Sequence, residues 1–488
     1  MLNRHKVLAL TLALAIMLAS FGAVAAQGPT GTYGSGIACA NLSATNPASI
    51  VITFYAADSG AVTLLYADPS PIPVGASRNY FTPSTPPGLP GSFLGAAVVS
   101  SSEPLSCNVN TQVVTAGVGS ASTPARAGTS AGVDSTQADP SLSAPQVLKG
   151  LAGYNSYIAV QNTTNGSLTA YVSYADRAGV AYPAARESFV IPAQSTHVFY
   201  QAGNANLPSN FLGGATITST GNLASVVNFY NSGASASAAH FHSYNAFPTG
   251  GTKLFVPRFV RNYYGYNSGL SVQNVGAAST SVDITFTFNG VNYVVNSGSI
   301  APGATYSPYA PNIAPLAPVD ALLVGQRTGS AVIQAAVGGS VVAIVNEDNR
   351  GTCNAASCPP LPPEQIGFGS TYGAMLNGSQ TTTIFLSQVP RRAGGFFSGG
   401  FQIANTTAGA GTCTIQYSGA AAANETGVAL PANGSFSRFA PNVANLPDGF
   451  NSSVKVTCTV AAVGITNFSA RSATYFGDSF ITANGLNQ

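Results

Sequence analysis

The sequence predicts an all-β chain carrying four tandem copies of one immunoglobulin-like β-sandwich. Three observations carry that expectation. Short runs rich in Val, Ile, Tyr, Phe and Thr are separated by Gly, Pro and Asn clusters. No segment after the N-terminal region shows a capped helical period. One strand pattern recurs four times.

Each copy opens on an alternating strand ending in Asn: Ile37 to Asn41, Ile158 to Asn162, Leu270 to Asn274 and Phe401 to Asn405. A second strand ends in an aromatic residue and a turn, at Tyr66-Ala67-Asp68, Tyr174-Ala175-Asp176, Phe288-Asn289-Gly290 and Tyr417-Ser418-Gly419. An apolar residue with Pro close behind follows, at Ile72-Pro73, Ile191-Pro192, Ile300-Ala301-Pro302 and Leu430-Pro431. Leu-Pro-x-x-Phe comes next, from Leu89, Leu207 and Leu446, while the third copy departs with Leu323 to Arg327. A closing strand then ends in Asn110, Asn228, Asn346 or Asn467, successively 118, 118 and 121 positions apart. Length varies between these anchors, as it does when insertions sit in loops. Alternation of apolar and polar residues argues one buried face per strand. A sandwich of seven or eight short strands fits each copy, and a closed barrel is the alternative.

A further mark follows each closing strand: Ser135-Thr136-Gln137-Ala138, Ser243-Tyr244-Asn245-Ala246, Ser370 to Ala374 and Ser479 to Ala483. Its presence after the last copy makes it the last strand of each copy. Gly117 to Gly132 is low in complexity and reads as a flexible loop. The expected divisions are a signal peptide over 1–26 and copies over 27–141, 142–250, 251–379 and 380–488.

The signal peptide rests on Arg4 and Lys6, an apolar run from Val7 to Leu18, and small residues at Ala23 to Ala26. The run is short for a bilayer span, so no membrane insertion is expected once it is removed. The chain has 17 Lys and Arg against 15 Asp and Glu, and Arg4 and Lys6 account for the difference. Such neutrality argues against nucleic acid, which demands a basic face. Six cysteines in an oxidising compartment read as disulfides. Cys39 and Cys107 lie on the opening and closing strands of the first copy, in facing sheets or side by side. Cys413 and Cys458 lie in strands of the fourth, and Cys353 and Cys358 would close a small loop.

These anchors resemble the tandem immunoglobulin- or fibronectin-like repeats of secreted bacterial surface proteins. The resemblance implies a stalk, adhesin or envelope component, secreted or on the cell surface. It implies polysaccharide of the wall or exterior, or other surface proteins, as partners. It carries over no functional residue.

Candidate chemistry is sparse. His240 and His242 project from one strand face without an evident third ligand. Gly128-Thr129-Ser130-Ala131-Gly132 matches the G-x-S-x-G nucleophile pattern but lacks the strand before and helix after that the elbow needs. Glu347-Asp348-Asn349 lacks the spaced acids of a calcium loop. No carboxylate pair recurs between copies, so no acid/base pair suggests itself. No catalytic residue, metal ligand or cofactor is therefore expected. One cluster could serve a ligand: Arg258, Arg261, Tyr263, Tyr264 and Tyr266, beside the third opening strand. Its competing reading is packing at the junction of copies two and three. The functional expectation is a non-catalytic structural or adhesive protein. The alternative is a glycan-binding array with binding confined to the third copy.

Overall fold

A computed structural model describes residues 31–82, 84–120, 122–231, 240–349, 367–472 and 474–487. The signal peptide and Cys353 and Cys358 lie outside them. The described chain is all-β, with short 3-10 turns between strands.

The opening strands are Tyr33–Asn41, Tyr154–Asn162, Tyr266–Asn274 and Phe397–Asn405. In every copy the opening strand runs antiparallel between a fourth strand and the closing strand, and a last strand pairs the closing strand's far edge. The second strand likewise lies between a third and a fifth strand. In copies two to four a leading strand, Asp139–Leu151, Lys253–Val260 or Thr381–Arg391, adds to the fifth. The first of these straddles the expected division between 141 and 142. Fifth and closing strands are separate in the first and third copies. In the second and fourth they are one 21-residue strand, Phe211–Asn231 and Phe450–Ala470, that passes from one set of partners to the other.

Inward residues of both sets make a common core in each copy. In the second, Ile158, Val160 and Val227 meet Val172, Ile217 and Val147. The alternation read from sequence is this core: Ala170, Val172 and Tyr174 are buried while Tyr171 and Ser173 are half-buried.

The opening Asn is a staple. Asn41, Asn162, Asn274 and Asn405 are all buried. Asn162 Nδ2 donates to the Gly166, Ile191 and Pro192 carbonyls, and its Oδ1 accepts from Thr164 N. Asn41, Asn274 and Asn405 make corresponding bonds. One amide thus satisfies backbone groups in two loops, which is why the Asn and the apolar-Pro anchor recur together.

The closing Asn does something different. Asn110, Asn228, Asn346 and Asn467 pair with Gly36, Tyr157, Gly269 and Gly400 on one side and with Thr129, Ser243, Thr371 and Thr482 on the other. In the first three the last-strand hydroxyl donates to the Asn Oδ1, at 2.7, 2.6 and 2.7 Å.

Three sequence expectations need correction. The last strand of the first copy is Ala127–Ala131, not Ser135 to Ala138, which forms a 3-10 turn capped by Asp134. The stretch expected to be a loop therefore contains a strand. Its residues are small because neighbours press on it: a Cβ on Gly128 would lie 2.7 Å from Ser243 Oγ and 2.8 Å from the Phe241 ring. Second, Tyr66-Ala67 belongs to the third strand, Val62–Ala67. The true second strand, Ile50–Ala56, ends in an identical pair, Tyr55-Ala56. Third, carboxylates do recur: Tyr174 donates to Glu187, and Tyr417 at the same place donates to Glu425.

Candidate functional site

The five residues proposed from sequence do come together, but mostly to hold the fold. Arg258 grips Glu347 with two bonds of 2.8 and 2.7 Å, and both side chains are buried. Its guanidinium also lies 5.1 Å from the Tyr263 ring centre. Arg261 grips Asp320 and donates to the carbonyls of Ala310 and Ile313. Pairing places Lys149 and Arg391 at the same point of copies two and four. They too hold the connection before the fifth strand, Lys149 through Asn204 and Leu207 carbonyls and Arg391 through Val443 and Asp448. Tyr266 is buried against Phe480, and only Tyr264, at 40%, is exposed. The third copy's missing Phe is explained nearby. Arg327 stands where Phe211 and Phe450 begin the fifth strand, fully buried, with the Leu322, Asp320 and Asn262 carbonyls as acceptors.

His240 and His242 are buried. His240 meets Tyr154 OH, and His242 Nδ1 lies 3.1 Å from Thr371 Oγ1 while stacking on Phe229. Glu347 is the partner of Arg258 already described, and Asp348 accepts from Tyr309. Gly128 to Ala131 is strand, so Ser130 is on no elbow. The disulfides Cys39–Cys107 and Cys413–Cys458 form, each between residues directly opposite on adjacent strands. The first resolves the open choice in favour of side by side. Among the described residues no group of three or more His, Cys, Asp or Glu could hold a metal ion.

What sequence reasoning missed is the way the copies meet. Their last strands form a closed circuit. Asn245 exchanges two bonds with the Ala131 backbone, His242 meets Thr371, Asn484 donates to Gly373 O, and Asp478 N donates to Ala125 O. These join copies one to two, two to three, three to four and four to one. Away from the centre the seams combine a His197–Asp58 contact between copies one and two, packing of Ala404, Val463 and Ile465 on the core of the third copy, and amide and hydroxyl bonds. Gln146 Oε1 accepts from Ser271 and Asn346, Gln402 bonds Thr328 and the Gly329 carbonyl, and Asn110 donates to Gln388. Between copies one and two, Ser195 donates to Ala56 O. The recurring closing Asn is thus a seam residue in at least two of the four junctions.

Asp478 sits at the middle, fully buried. It accepts from Phe241 N, Gly369 N and Phe480 N, which belong to copies two, three and four. Burial pushes its carboxyl well above the usual carboxylate range, against the pull of those three donors.

The seams are not equally filled beside this centre. An aromatic residue starts each opening strand: Tyr33, Tyr154, Tyr266 and Phe397. Opposite it lies a last-strand position occupied by Ala127, Phe241, Gly369 or Phe480, each two residues before the partner of the closing Asn. Tyr33 packs on Phe241 and Tyr266 on Phe480, with ring centres 5.4 and 5.3 Å apart. At the seam of copies two and three the His242 ring fills the space. A Cβ on Gly369 would come within 2.7 Å of it, so only glycine fits. At the seam of copies four and one Phe397 faces Ala127, and a partly open cavity of about 180 Å³ remains. Asn110, Gln112, Gln388 and Asn451 are among its polar lining residues, and Phe397, Phe468 and Tyr475 among its aromatic ones.

No family model and no curated protein matches the chain. Among solved structures, a Thermotoga maritima protein designated 1070 aligns over 26% of this chain and 96% of its own at 16% identity, with a TM-score of 0.19. The major pilin subunit of Bacillus cereus aligns over 57% and 85% at 8% identity, TM-score 0.14. The pilus backbone of Streptococcus pneumoniae aligns over 78% and 86% at 9% identity, TM-score 0.13.

Proposed function

We propose that this is a secreted or cell-surface protein with a non-catalytic structural or adhesive role on the bacterial exterior, built from four immunoglobulin-like sandwiches closed into a ring. The observation that carries the proposal is where its few charged groups go. Arg258, Glu347, Arg261, Asp320, Arg327 and Asp478 are committed to turns, strand connections and seams. A chain that spends its ionisable groups this way is organised around holding a shape. Its near-neutral charge, 17 Lys and Arg against 15 Asp and Glu, suits a matrix of neutral polymer rather than nucleic acid or anionic lipid. Among the described residues no helix is long and apolar enough to cross a membrane, which says nothing of strands.

The test is fractionation of producing cells and medium, followed by an antibody to the full chain and by N-terminal sequencing. The expected result is recovery from the envelope or medium with residue 26 or 27 first. A cytoplasmic chain retaining Arg4 and Lys6 would refute the reading.

A further inference from the structure

We propose that the cavity between the fourth and first copies is a binding site for one neutral, hydroxyl-bearing six-membered ring, a monosaccharide unit. It is a different place from the Tyr263–Tyr266 cluster and needs no contribution from the third copy.

The ring has four seams built from corresponding residues, and three are plugged at this point: by Phe241 against Tyr33, by His242 over Gly369, and by Phe480 against Tyr266. The fourth has the small Ala127 where copies two and four carry Phe, and Ile481 where copy two carries His242. Interiors close-pack, so an unfilled gap among filled equivalents marks a place left for something else. Its volume of about 180 Å³ slightly exceeds the roughly 150 Å³ apolar cavity that accommodates a single benzene ring. One ring fits, and a disaccharide does not fit whole.

The lining selects the chemistry. A dry apolar cavity would be a packing defect, but here four carboxamides are among the lining residues. Asn110 Nδ2 donates to Gln388 Oε1 at 3.1 Å, and Gln388 Nε2 donates to Asn451 Oδ1 at 3.1 Å. Asn110 Oδ1 is taken by Thr129. This chain fixes the amide planes and uses one N–H of Gln388 and none of Asn451, whose amides line the cavity with that of Gln112. Carboxamides both donate and accept, which matches hydroxyls. No carboxylate lines the cavity. Its one cation, Arg126, lies beside the Tyr33 hydroxyl. A cationic ligand has no carboxylate to meet, whereas a neutral polyol has several amide partners. The lining also offers the aromatic side chains of Phe397, Phe468 and Tyr475 for contact with the C–H groups of a sugar. The cavity is open on one side, so a ring at the end of a longer glycan could enter.

The experiment uses the full mature chain with D-glucose, D-galactose and N-acetyl-D-glucosamine as separate probes, read by saturation-transfer NMR and titration calorimetry. At least one should bind saturably at millimolar concentration. Ala127→Phe copies the residue of two other seams and should weaken that binding by about tenfold or more while leaving the circular dichroism and melting profile intact. Gln112→Leu, which keeps the shape and removes the amide, provides a second arm should Ala127→Phe fail to fold. Loss of binding in a folded variant of either kind supports the site. Absence of saturable binding by all three sugars overturns it, as does binding that survives in every folded variant. Neither negative touches the fractionation result on which the structural reading stands.

Discussion

Replacing Asp478 probes the meeting of copies two, three and four at a single side chain. Its two carboxylate oxygens accept from Phe241 N at 3.3 Å, Gly369 N at 3.0 Å and Phe480 N at 3.1 Å. Asp478→Ala leaves three buried N–H groups without an acceptor, each costing roughly 1–3 kcal/mol. It also removes the cost of burying the carboxyl, which offsets part of that. The net expected loss is therefore near the lower end, about 3 kcal/mol. Asp478→Asn keeps one oxygen for Gly369 and Phe480 but points an amide N–H at Phe241 N, for a loss of roughly 1–2 kcal/mol. The two also differ in pH dependence. Burial raises the Asp478 pKa above its ordinary 3.8. A raised carboxyl contributes most below that ordinary value, and its contribution declines as pH rises toward the folded pKa. Wild-type stability should thus fall relative to Asp478→Asn as pH rises above 3.8. Urea titration followed by tyrosine emission is the assay, since the chain has 21 Tyr and no Trp. An Asp478→Ala chain as stable as wild type, or parallel pH profiles for wild type and Asp478→Asn, would refute the latch.

Other perturbations test the staples and pairs. Arg258→Ala strands Glu347 in a buried site and should cost about 3–5 kcal/mol, against a negligible effect for exposed Tyr264→Ala; the same urea titration reads both. Asn274→Ala removes the acceptor for Gly276 N and the donors to the Ala278 and Ile300 carbonyls, so proteolysis should begin in those two loops before anywhere else in the third copy. Gly369→Ala collides with His242 and should lower the melting temperature more than Gly338→Ala, where nothing lies within 4 Å of the added Cβ and only the positive φ resists. Reducing the disulfides opens loops of 68 and 45 residues, and cysteine-to-serine variants should each lose roughly 2–4 kcal/mol, with mass spectrometry confirming oxidation beforehand.

The repeating anchors were legible because each is fixed by a local backbone need. Asn162 must reach the Ile191 and Pro192 carbonyls, so Asn and apolar-Pro keep their spacing whatever the loop between them does. Buried alternation was equally plain in Leu168 to Asp176. Two strands were misplaced where composition hid them. Tyr55-Ala56 and Tyr66-Ala67 are the same dipeptide on neighbouring strands, and nothing local tells them apart. Ala127 to Ala131 has no β-branched or aromatic signal except Thr129, because its neighbours in the second copy leave no room for one.

The two readings of the Arg258, Arg261, Tyr263, Tyr264 and Tyr266 cluster stayed open in the sequence for a related reason. Glu347 and Asp320 lie 89 and 59 positions away, and one sequence cannot show which distant carboxylate neutralises which arginine. Closure of the ring was hidden more deeply, since every bond that makes it joins different copies. Yet one trace existed. At Asn245 and Asn484, and at Phe241 and Phe480, the even copies carry the larger residue, while the odd copies carry Ala131 and Gly373, Ala127 and Gly369. Large meets small across each seam, so that alternation is complementarity between neighbours written into positions that looked like drift. The seam between four and one keeps the alternation but has Ile481 where copy two carries His242, and there the space stays open.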